Sequence, residues 1–493
     1  METALVWFRD DLRVTDNPTL SDAVASADSV LPVYVCDPRD WGETRYGSAK
    51  IGSHRARFRM EALSDLREQL RELGGELVVR TGNTATVLSE LATEYDVTAV
   101  YTQTKPATEE LERETSVRES LLDSVGFERR WTHTLYHLSD LPTPSDRIHD
   151  TFTPWRKEVE RESQIRDPLS APEHIDTPDI DAGKVPAGDA GEISAGDAGE
   201  IPSIDSLGLD APETDDRAVC EFRGGERPGQ QRLREYFWEG DHLREYKGTR
   251  NGMLGADYSS KFSPWLAAGC LSPRWIHREV KQYEKERISN QDTYWLVFEL
   301  CWRDFFQFQF LKHGGRFFTR TGIRDVEKDW VENPEAFSRW TQGETGVPFV
   351  DANMRELNRT GYMSNRGRQN AASFLTDALG IDWRLGAAYF EQQLVDYDVC
   401  SNWGNWAYQA GVGNDSRDNY FNVLSQADRY DSDAAYVKTW LPELAGLPTE
   451  YAHRPWRMRE DEQAEYGVSL GSEYPEPMLA IEQRYRELHH ERS

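Results

Sequence analysis

A parallel α/β domain joined to a larger all-helical domain is the architecture this sequence predicts, and three observations carry it. Short apolar runs alternate with amphipathic stretches over residues 4 to about 135. Between about 165 and 230 the composition turns to Pro, Gly, Asp, Ala and Ser. From about 231 onward the text is helical in period and aromatic, with 12 of the 16 tryptophans. At 493 residues the chain is too long for one core and has apolar side chains enough for two. The expected division is 1–135 as the α/β domain, 136–230 as a connecting segment, and 231–493 as the helical domain.

The segments ALVWF (4–8), SVLPVYVCD (29–37), ELVVRTG (76–82) and VTAVYTQ (97–103) read as strands, with helix-like stretches at 56–73 and 87–95 between them. Near-continuous apolar strands separated by helices predict a Rossmann-like parallel sheet covered on both faces. The first strand runs into FRDDLRVTDNP rather than GxGxxG, so the dinucleotide fingerprint is missing. Ligands are still expected at the strand C-terminal ends. In the connecting segment AGDAGEI at 187–193 recurs at 195–201. It lacks the large apolar residues that offset ordering entropy, and a loosely wrapped surface segment is expected.

In the helical part, residues 292–313 are apolar nearly all round, which predicts a buried helix. It nevertheless carries Glu299 and Arg303 four apart, beside Trp302. Such charges read either as a functional site or as a structural ion pair. Residues 396–415, DYDVCSNWGNWAYQAGVGND, combine two carboxylates, an asparagine and a cluster of aromatic rings. On a helix Asp398 and Asn402 share a face, a pattern suited to a planar redox-active ring or to a packed core.

The formal charge is −29, from 86 acidic against 57 basic residues, and the basic ones are mainly Arg. Such a surface repels nucleic acid in dilute salt. One way out is a very salty cytoplasm, where the Debye length shrinks to about 3 Å at 1 M; the other reading is an ordinary acidic protein. The five cysteines form no CxxC pair, which argues against a disulfide framework and a zinc site and for a reducing compartment. No secretion signal and no apolar run of membrane-spanning length is visible, so the expectation is a soluble cytoplasmic protein.

The segments YKGTRNGMLGADYSSKFSPWLAAGCLSPR, ELCWRDFF, GYMSNRGRQNAASFL, IDWRLGAAYFEQQLVDYDVCSNWGNWAY and GVGNDSRDNYFN, followed by YVKTWLPEL, occur in that order. On these the chain resembles the photolyase/cryptochrome family, specifically its DASH branch, and the acidic composition suggests a halophilic archaeal source. The resemblance implies an antenna-type α/β domain and an all-α domain that binds FAD.

Matched by position, Tyr246, Ser259, Ser260, Lys261, Phe262 and Ser263 would cradle the diphosphate, just before a helix with Pro264 near its start. Arg303, Asn365, Arg368, Asp396 and Asp398 match positions around the flavin and ribose, and Arg368 is expected to pair with Asp396. Asn402 matches the amide that faces the central flavin nitrogen. Trp406, Trp383 and Trp330 match an electron-hopping chain, though structural tryptophans would look the same in sequence. At the lesion cavity the resemblance implies that Glu299, in protonated form, hydrogen-bonds the dimer carbonyl and that Trp302 stacks on the lesion. Tyr408, Gln369 and Asn365 complete that wall, the first two being DASH-like replacements of Trp and Met.

A weaker pocket favours lesions that need no extrusion from a duplex, so the implied activity is repair of cyclobutane pyrimidine dimers in single-stranded DNA. The alternative is a blue-light photoreceptor with little repair. Arg366 and Arg417 are candidates for phosphate contacts, or are ordinary solvated arginines. Glu110 matches the acid that holds a folate antenna, 5,10-methenyltetrahydrofolate, with Glu109 one residue away and a deazaflavin or an empty site as rivals. No metal is called for, and a monomer is expected.

Overall fold

The computed structural model describes residues 2–180, 198–414 and 420–491. Five parallel strands, β1 (Thr3–Phe8), β2 (Ser29–Cys36), β3 (Val78–Thr81), β4 (Val97–Gln103) and β5 (Gly126–Arg130), form one sheet in the order β3-β2-β1-β4-β5. The strands β1 and β2 are buried along their whole length, and β4 from Val100 onward, because both faces are covered. In β1, Ala4, Val6 and Phe8 enter one core while Leu5 and Trp7 enter the other. The second of these cores is closed by Leu88 and Leu91 of the helix Thr84–Glu94, which Asn83 caps. The first runs on without a break into the helical part, through Phe58, Trp265 and Leu271 to the helix Gln291–His313.

The two parts are joined by buried charge as well as by packing. Arg274 pairs with Asp16, which is fully buried, and Ser272 donates to the same carboxylate. Arg13 donates to the carbonyls of Asp16, Gly269 and Thr132, and Glu226 accepts from the Val14 N–H. Each of these charges has a partner, which is the condition for carrying it inside.

The connecting segment is anchored on both sides of the undescribed residues 181–197. Val30 N–H donates to Asp176 O at 2.7 Å, and Ile175, 1% exposed, donates to Leu73 O. On the far side Val79 N–H donates to Ala198 O at 2.7 Å. These flanks bind the edges of the α/β layer more tightly than composition suggested, because backbone hydrogen bonds do not require large side chains. The first copy of the AGDAGEI repeat lies outside the described residues.

The helices Gln291–His313 and Val399–Gln409 approach closely at Gly404, where an added Cβ would stand 2.3 Å from the Phe306 ring. Gly404→Ala is therefore expected to lower stability by roughly 1–3 kcal/mol through overpacking. Thermal unfolding in molar KCl reads the effect.

Candidate flavin cradle and lesion cavity

The SSKFS run forms a strained loop. Lys261 sits at φ 61°, a conformation costly for a residue with a side chain. Arg232 holds the loop from behind, with Nε donating to Ser260 O and Nη2 to Ala256 O. The short helix that follows begins at Ser263 with Phe262 at its cap and Pro264 in its first turn, and no hydroxyl caps it. Lys261 is 2% exposed, and its Nζ donates to Ser259 Oγ at 3.0 Å. Burial pushes its pKa well below the usual lysine range. A buried lysine whose Nζ meets the Ser259 hydroxyl and has no paired carboxylate among the described residues offers a donor that an FAD diphosphate requires, so the residues present fit the group. Tyr246, 6% exposed, lies on the neighbouring turn.

Behind the cradle lies an acid that sequence reading did not single out. Glu356 is 1% exposed; Oε2 accepts from Tyr436 Oη at 2.6 Å, while Oε1 has no hydrogen-bond partner among the described residues. Burial pushes its pKa up to about 8. A raised acid favours the folded state while protonated, so that stability is present below the usual glutamate range and is lost as pH climbs towards 8. Melting temperature is expected to fall over that interval, and Glu356→Gln to flatten the fall.

Around the ring position, Arg368 Nη2 meets Asp396 Oδ2 at 2.7 Å and its Nε donates to Met363 O, as the pairing expectation required. Burial lowers the Arg368 pKa, but Asp396 outweighs it and the net direction is up. Asn402 donates its amide N–H to Ala387 O at 3.0 Å, which fixes the amide orientation. Asp398 departs from the expected helix face: it is the N-cap of Val399–Gln409, its carboxylate accepting from Ser401 N at 2.7 Å and from Gln307 Nε2. Aspartate just ahead of a helix takes the cap because its oxygen satisfies an orphan N–H. Arg303 donates to the carbonyls of His133 and Leu266, clamping the joint between the two parts.

The lesion-side residues stand on three helices. Glu299 and Trp302 lie one turn apart on Gln291–His313, and Tyr408 meets Trp302 edge to face at 6.2 Å. One face of Trp302 is covered by Phe152, stacked at 3.7 Å, a partner no local sequence pattern indicated. The possible Glu299–Arg303 ion pair is not what forms. Glu299 pairs instead with Arg250, Nη1 to Oε1 at 3.1 Å, across the turn that follows Tyr246. Arg250 stands in the YKGTRN segment, so its motif was visible but its reach was not. Burial raises the Glu299 pKa, against Arg250, and the net direction is up.

Asn365 opens the helix Asn365–Ser373 and is exposed; Gln369, one turn on, has a buried Oε1 without a hydrogen bond among the described residues. Arg366 lies 4.4 Å over the Tyr430 ring and reaches Asn251 at 3.2 Å. Arg417 lies outside the described residues.

Trp406 and Trp383 are buried, and Trp330 is half-buried. The Trp406 ring packs on Phe390 and lies against Gly386, one turn along the helix that Trp383 begins. Trp383 packs on Trp403 at 5.7 Å, and Trp330 precedes the Val331–Gly380 hydrogen bond that leads into Trp383.

A separate cavity of about 610 Å³ opens at the C-terminal ends of β1, β2 and β4, where the strand order reverses. Arg9, Asp10, Tyr34, Lys105, Glu109 and Glu110 line it from the α/β side, and Tyr397, Asp398 and Trp403 from the helical side. Lys105 bridges Asp10 and Glu110, the latter at 2.9 Å. Burial would raise Asp10, but Lys105 and Arg59 hold it well below the usual carboxylate range. Glu110 is the more enclosed of the two candidate acids, with a side chain 20% exposed against 72% for Glu109.

A covered parallel sheet, a helical body fused to it and a buried cation cradle define a flavoprotein of the photolyase type. Comparison with known proteins agrees: residues 4–173 match the DNA photolyase family and 295–492 the FAD binding domain of DNA photolyase. The chain is 64% identical over 489 residues to Cryptochrome DASH of Natronomonas pharaonis, covering 99% of this chain and 100% of that one. That relative comes from a halophilic archaeon, the setting the acidic composition called for. Among solved structures it resembles a Synechocystis sp. PCC6803 cryptochrome, with TM-score 0.93, 45% identity and 99% of each chain covered. It also resembles a bacterial class III photolyase from Agrobacterium tumefaciens, with TM-score 0.82, 27% identity and 99% and 98% covered. The chain belongs to the photolyase/cryptochrome family, in its DASH branch, and carries that family's FAD-binding domain.

Proposed function

We propose that this protein uses blue light to split cyclobutane pyrimidine dimers, preferentially in single-stranded DNA. The observation that supports this most directly is a half-buried acid, Glu299, one helical turn from the half-buried ring of Trp302, with Arg250, Lys247 and Arg366 close by on an otherwise anionic chain. FAD, when bound, supplies the light-driven electron that opens the dimer. The remaining work belongs to side chains. Trp302, backed by Phe152, offers a flat face to the lesion, and Tyr408 stands edge-on beside it. Protonated Glu299 donates to the dimer carbonyl as charge gathers on its oxygen. Gln369 and Asn365 line the approach, and Arg366 meets phosphate. Trp406, Trp383 and Trp330 carry electrons inward from the surface to restore the reduced cofactor. Asn402, its amide nitrogen held by Ala387 O, would have its oxygen left to accept a hydrogen bond from the flavin.

The test is repair of an oligothymidylate dimer under blue light in molar KCl. Faster repair in single strands than in duplex is expected; equal rates remove the strand preference, and no repair by FAD-loaded protein leaves the photoreceptor alternative. Among the described residues no helix is long and apolar enough to cross a membrane.

In the same reading the cavity at the strand ends holds a folate antenna through Glu110. Near-ultraviolet absorbance beyond that of the flavin is expected in protein reconstituted with 5,10-methenyltetrahydrofolate. Glu110→Ala is expected to abolish it while leaving FAD in place; an unchanged spectrum counts against the assignment.

A further inference from the structure

Arg250 gives Glu299 two incompatible duties. The ion pair at 3.1 Å favours a carboxylate, whereas the repair reading, on which this inference rests, needs Glu299 to donate a proton-bearing oxygen. The guanidinium is not committed to that pair alone. Its buried Nε makes no hydrogen bond among the described residues, and the group lies 5.4 Å from the centre of the Trp295 ring. Lys247 caps the same ring at 4.5 Å, and Arg366 stands on the far side of Asn251. On a chain of net charge −29 this is a cationic lip, complementary to a phosphate. The other titratable groups near Glu299 are Tyr246 and Cys301, which burial keeps neutral. Burial is the larger influence on its state, and Arg250 is the charge that opposes it.

We propose that Arg250 is a positioning residue that couples DNA binding to protonation of Glu299. In the free protein it holds the carboxylate. When a DNA phosphate takes the guanidinium, in the fork geometry that arginine favours, the abandoned carboxylate takes one proton from solvent and becomes a donor towards the lesion. One O–H bond forms, and no electron moves in this step. Binding that takes up a proton strengthens as pH falls, by up to about tenfold per unit.

The experiment uses the FAD-loaded full chain in the dark with an oligothymidylate carrying one dimer. Binding heats in two buffers of different ionisation enthalpy count the protons, and infrared difference spectra report the carboxylic C=O stretch. Wild type is expected to take up close to one proton and to gain the C=O band on adding DNA. Glu299→Gln is expected to lose both. Arg250→Ala is expected to show the band before DNA is added, and Arg250→Lys, which keeps the charge, to restore the wild-type order of events. An Arg250→Ala band that appears only with DNA, or no proton uptake by wild type, overturns the switch. If in addition Glu299→Ala repairs at the wild-type rate, the repair reading has failed; if repair still depends on Glu299, only the switch has.

Discussion

Dimer repair by the Glu299→Ala variant is expected to fall about 100-fold, the scale of losing one preorganised donor to a developing oxyanion. FAD content and flavin photoreduction should remain, because the acid stands on the lesion side and its charged partner is Arg250 rather than any cradle residue. Glu299→Gln separates charge from hydrogen bonding, since its amide donates without a proton to gain, and it should retain far more repair than the alanine variant. The measurement is single-turnover repair of a dimer in single-stranded DNA by fully reduced protein. Equal rates for wild type and Glu299→Ala would remove the acid from the mechanism.

The second large effect concerns Trp406. Trp406→Phe is expected all but to abolish photoreduction of bound oxidised FAD, because phenylalanine keeps an aromatic ring beside Phe390 but is far harder to oxidise. Repair by chemically pre-reduced protein should persist. Photoreduction at the wild-type rate would mean that electrons enter elsewhere, and the contact between Trp383 and Trp403 makes the cavity side the first place to look.

Much of the architecture was legible in the sequence where a single local signal sufficed. Apolar runs gave β1, β2, β3 and β4, and the all-round apolar pattern gave the buried helix Gln291–His313. The strand β5, GFERR, escaped because an edge strand with charged, half-exposed side chains has neither alternation nor an apolar run. Asp398 was assigned to a helix face when its place was the cap, an error of one position that spacing cannot correct. Pairing was the least legible property. The Arg368–Asp396 bridge could be expected from motif positions, whereas Arg250–Glu299 and Phe152–Trp302 join residues about 50 and 150 apart, and only the folded chain brings them together.

The buried charges shared by Asp16, Arg13, Glu226 and Arg274 bear on how genes of this kind can recombine. A chimaera whose crossover falls between residues 16 and 226 unites an N-terminal half from one parent with a C-terminal half from another. Unless both parents carry the same set, an ion is stranded in the interior. Interchange of antenna modules between lineages is thus restricted to parents that match at these four positions, however alike their surfaces are.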